Sequence, residues 1–80
     1  MQTITFGFRE KEITINFNTE KTGTVTVVKT LETVTNNFEI VVGIYGNAVV
    51  VFDRNRYFTH GISETLTRKI KQTILEAGAK

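Results

Sequence analysis

The side chains able to do chemistry are few. His60 is the only imidazole and Asp53 the only aspartate among 80 residues, and there is no cysteine. A nucleophile–base–acid triad, a thiol nucleophile or a His- or Cys-rich metal centre needs more than that inventory. No catalytic, metal-ligating or cofactor-binding residue is therefore assigned, and the chain is read as a non-enzyme. Glu10, Glu12, Glu20, Glu32 and Glu39 fall on turns or outward strand positions and read as solvated surface. Gly43 and Gly46 do not make a phosphate loop, because they sit in and at the tip of a hairpin with no helix following to supply a dipole.

Recognition chemistry remains. Tyr45, Val50, Phe52 and Tyr57 are expected to share one sheet face, a cluster suited to burying a partner's side chains. Arg54 and Arg56 lie in the turn beside it, and Arg68, Lys69 and Lys71 on the helix that follows. Aromatics next to cations also suit single-stranded nucleic acid, since stacking tolerates any base and cations track phosphates. Net charge is +2 and the sequence pI about 9.2, a balance that permits a nucleic-acid partner without demanding one.

These residues are positioned by a hairpin over Phe38 to Asp53, FEIVVGIYGNAVVVFD. A two-residue Gly46-Asn47 loop of type II′ pairs Tyr45 with Ala48, Ile44 with Val49, Val42 with Val51 and Ile40 with Asp53. That register puts Ile40, Val42, Ile44, Val49 and Val51 on one face. Val41, Gly43, Tyr45, Ala48, Val50 and Phe52 take the other. A hairpin apolar on both sides belongs in the middle of a sheet, or keeps one face for a partner.

Earlier in the chain, residues 3–8 and 12–18 alternate strictly, giving two half-buried strands with Ile4, Phe6, Phe8, Ile13, Ile15 and Phe17 inward. Thr24 to Asn37 satisfies strand and helical spacing together. Its density of Thr and Val favours one long strand, bulged near Val28-Lys29, over a short helix. Asn36-Asn37 is read as the turn into the hairpin, and Tyr57 to His60 as a last strand ending at Gly61. Ser63 then caps a helix running to about Ala77, with Ile62, Leu66, Ile70, Ile74 and Ala77 on its apolar stripe and Leu75 among basic residues.

One domain spanning residues 1–80 follows from the length, near the size where a single core is barely sufficient and association often helps. Fourteen residues are Thr and none is Pro, which favours sheet. Apolar runs are far shorter than the ~20 residues of a membrane helix, and the start lacks a signal-peptide layout, so a cytoplasmic, intracellular protein is expected.

The order of an apolar hairpin, Tyr57-Phe58-Thr59-His60 and then Ser63-Glu64-Thr65-Leu66-Thr67-Arg68-Lys69-Ile70 resembles small uncharacterised phage-encoded proteins over the C-terminal third. The resemblance implies a small accessory protein acting by binding, such as an inhibitor of a host factor or defence system. It carries over no catalytic residue.

The expected fold is α+β: a mostly antiparallel sheet of about five strands with one C-terminal helix packed on one face. The second sheet face would be closed by curling into a barrel, paired across a homodimer axis, or left exposed as a stacking platform. Protein interaction as a homodimer is the expected function, with an unnamed protein as further partner and nucleic-acid binding as the alternative.

Overall fold

The computed structural model describes residues 2–30, 32–53 and 63–78. Five strands, β1 (Thr3–Phe8), β2 (Lys11–Phe17), β3 (Thr22–Lys29), β4 (Glu32–Val42) and β5 (Ala48–Phe52), form one antiparallel sheet in the order β1-β2-β3-β4-β5. The helix α1 (Glu64–Gly78) covers one face, so the α+β expectation holds. The strand expected at Tyr57 to His60 lies outside the described residues.

Strict alternation decides which side of β1 and β2 is buried. Ile13, Ile15 and Phe17 lie under the helix with Ile4, Phe6 and Phe8 packed partly beside them. Thr3, Thr5, Gly7, Glu12, Thr14 and Asn16 take the opposite side, as the period of two requires. Val25, Val27, Phe38, Ile40 and Val50 complete the sheet's half of the core, and Leu66, Ile70 and Ile74 supply the helix's half at 0% exposure. Each buried aliphatic contributes about 1.5–3 kcal/mol. Ser63 Oγ accepts the Leu66 amide at 3.3 Å, which is the expected N-cap. Leu75 departs from expectation, because it is half-buried against the core rather than exposed.

Residues 24–37 are not one bulged strand. The phase slip at Val28-Lys29 marks the end of β3, and the chain reverses within two residues, so that Lys29 pairs with Glu32. Their side chains form an ion pair at 3.4 Å. Nor do Asn36 and Asn37 turn the chain, since both sit within β4. Asn36 is buried at 6% exposure, with its Nδ2 donating to the Asp53 carbonyl at 3.1 Å and its Oδ1 accepting the Asn37 amide at 2.9 Å. An amide satisfied on both ends is tolerated inside a strand.

Gly23 in β3 lets the two aromatic side chains of its neighbour strands meet across it. Phe17 and Phe38 pack edge to face with centroids 5.3 Å apart, and a Cβ on Gly23 would sit 2.8 Å from the Phe38 ring and against the Asn16 carbonyl oxygen.

Candidate docking surface at the β4–β5 corner

The hairpin joining β4 and β5 closes differently from the two-residue loop expected. Gly43 N donates to the Asn47 carbonyl at 2.7 Å and Gly46 N to the Gly43 carbonyl at 3.0 Å, leaving Ile44, Tyr45 and Gly46 as a three-residue loop. Gly46 supplies the positive φ, 84°, that such a loop needs at its last position. Val42 therefore pairs with Ala48, Val41 with Val49, Ile40 with Val50 and Phe38 with Phe52.

This register differs from the expected one by an odd number of residues, so β5 presents its other side. Val50 is buried at 3% exposure, and Phe52 packs under the helix with Lys71 Nζ 5.8 Å from its ring. Two members of the expected contact set thus belong to the core. Of the rest, Tyr45 is 86% exposed at the loop tip, whereas Tyr57 lies outside the described residues. Val41, Val49 and Val51, each about half exposed, occupy the uncovered face in their place. Ile44 is 91% exposed beside Tyr45, and Val42 is exposed on the other side of the hairpin. The sequence signal for this set was the unbroken uncharged run between Glu39 and Asp53.

The corner also stands clear of the sheet. β3 begins opposite Glu39, and its last support is the Ile40 amide donating to the Lys21 carbonyl at 2.7 Å. From Val41 to Val49 the chain is a two-stranded arm with no third strand beside β4 among the described residues. The hairpin is thus at the end of the strand order among the described residues, not at the sheet's centre.

Apart from Val28, 39% exposed opposite Glu12, the rest of the uncovered strand face is mostly polar and regular. Thr5, Thr14, Thr26 and Thr35 form one row across four strands, with hydroxyl contacts of 3.4 Å between Thr5 and Thr14 and 3.1 Å between Thr26 and Thr35. In the next row Thr3 Oγ1 donates to Asn16 Oδ1 at 2.7 Å, and Asn37 Nδ2 to Asp53 Oδ2 at 3.1 Å. The charges on this face among the described residues are Glu12, Glu39 and Asp53, with no lysine or arginine. A concavity of about 320 Å³ holds Glu39 and Asp53 beside Asn18, Thr22, Asn37 and Val51.

Cations gather on the helix side. Lys69 Nζ lies 5.5 Å from the Phe6 ring and Lys71 faces Phe52, so the two flank the helix in opposite directions. Arg68 is exposed and pairs with Glu64 at 2.7 Å. Arg54 and Arg56 lie outside the described residues. The helix cations and the sheet's uncovered face thus do not come together, and no aromatic side chain stands on that face among the described strand residues.

Among the described residues no group of three or more His, Cys, Asp or Glu is placed to hold a metal ion, and no helix is long and apolar enough to cross a membrane. Comparison with models of known families, with curated proteins and with solved structures finds no match.

Proposed function

We propose that this is a non-enzymatic binding protein that docks protein through the β4–β5 corner. The observation that carries the reading is the uncharged arm of Val41, Ile44, Tyr45, Val49 and Val51, which leaves large apolar side chains exposed along the hairpin and at its tip. Isolated exposed valines are ordinary, but a patch of several hundred Å² rimmed by polar groups marks an interaction site. Accessory action of the kind implied by the resemblance to phage-encoded proteins fits a domain of this size. Nucleic acid is the weaker reading, because among the described residues the uncovered face is acidic while Lys69 and Lys71 lie on the helix side, and phosphate contacts need cations on the contact face.

A photo-crosslinking phenylalanine derivative at Tyr45, compared with the same group at Thr14 in the threonine row, tests the reading. Protein adducts formed from position 45 and not from position 14 are expected, and they should disappear when Val49→Glu is added. Equal yields at the two positions, or adducts with nucleic acid alone, would refute it.

A further inference from the structure

The occupant of the corner follows from its size and its lack of charge, taking the docking reading above as the starting point. Val41, Ile44, Tyr45, Val49 and Val51 together expose on the order of 600 Å², approaching the roughly 800 Å² that each partner contributes to a standard-size interface. No residue between Glu39 and Asp53 carries a charge. The patch can therefore meet an identical patch without burying an unpaired ion, which would cost several kcal/mol per charge. An isologous two-fold contact also covers both arms at once, and it is the commonest way for identical chains to associate. We infer that a second copy of this chain occupies the corner, arm against arm across a two-fold axis.

Charge confines the contact. Glu12, Glu39 and Asp53 share the uncovered face with no cation among the described residues, so stacking the whole face on itself would oppose like charges. The threonine rows consequently stay wet, and the interface is limited to the corner. Added salt screens the remaining acid–acid repulsion and should leave the dimer unchanged or tighter, the opposite of phosphate binding.

Sedimentation equilibrium over a wide range of protein concentrations, with thermal melts and amide accessibility to a soluble paramagnetic agent, tests this. The wild-type chain should be a dimer with its arm shielded. Val49→Glu, and Tyr45→Asp at the fully exposed tip, should each weaken association at least tenfold while the core still melts cooperatively. Two substitutions at sites of different structural demand ensure that a folding failure in one does not hide the answer. A wild-type monomer with an accessible arm overturns the second copy but leaves the docking reading standing. A monomer with a shielded arm overturns both, because the chain then covers its own corner. A dimer indifferent to both substitutions places the interface elsewhere and also overturns the inference.

Discussion

At Gly23 the missing side chain is what the neighbours need. A Cβ there would enter the Phe38 ring at 2.8 Å and meet the Asn16 carbonyl, so Gly23→Ala must move β2 or unseat Phe38. A loss of about 3 kcal/mol is expected from such overpacking. Gly7→Ala is the control, since its nearest neighbour would be the Lys11 carbonyl oxygen at 3.9 Å; urea titration should find it within about 0.5 kcal/mol of wild type. Gly46 is constrained by backbone alone: nothing lies within 4 Å, but φ is 84°. Gly46→Ala should cost about 1–2 kcal/mol, and the same titration measures it. The sequence marks Gly46 as a turn residue without saying which turn. A two-residue loop uses glycine first and a three-residue loop uses it last, and both need a positive φ. That ambiguity moved Val50 and Phe52 from the expected docking set into the core.

Among the elements, legibility tracks contrast between faces. In β1 and β2 aliphatic or aromatic residues alternate with Thr, Glu and Asn, so the alternation alone makes the inward face plain. The hairpin from Phe38 to Phe52 has valine or isoleucine on both sides, so its pattern holds no register information. The β3–β4 turn lacks Gly, Pro and Asn, which hid it, whereas Asn36 and Asn37 mimic a turn while serving as ladder residues. Two substitutions separate the registers. Val50→Asp places a lone carboxylate under the helix and should cost at least about 3 kcal/mol, while Val51→Asp on the uncovered face, melted at concentrations low enough that the chain is a monomer, should cost under about 1 kcal/mol. The reverse order in thermal melts would restore the two-residue loop. The helix was the most legible element because its cap and stripe agree. Ser63→Ala should lower stability by about 1 kcal/mol, read from the same melts.

At the scale of the whole molecule, the uncovered sheet face carries no lysine or arginine among the described residues, while the helix side carries charges of both signs. Acidic groups and hydroxyl rows occupy the uncovered sheet face, Lys69 and Lys71 flank the helix, and the uncharged arm extends past the end of β3. This arrangement answers the threonine excess: hydroxyls joined across strands make a β-favouring surface that stays hydrated. Thr26→Lys, in the middle of those rows, should therefore leave the association constant within about threefold of wild type, since it lies away from the corner. What the sequence showed of the site was its apolar surplus and its place in the chain; which side chains carry it depended on a loop one residue longer than expected. The central claim, that Val41, Val49 and Val51 meet their copies, is tested most directly by isotope-filtered NOE spectra on a mixture of labelled and unlabelled chains. Methyl contacts between chains at these three valines are expected. A dimer whose interchain contacts arise instead from the threonine rows or the helix, with none at Val49, would contradict the account.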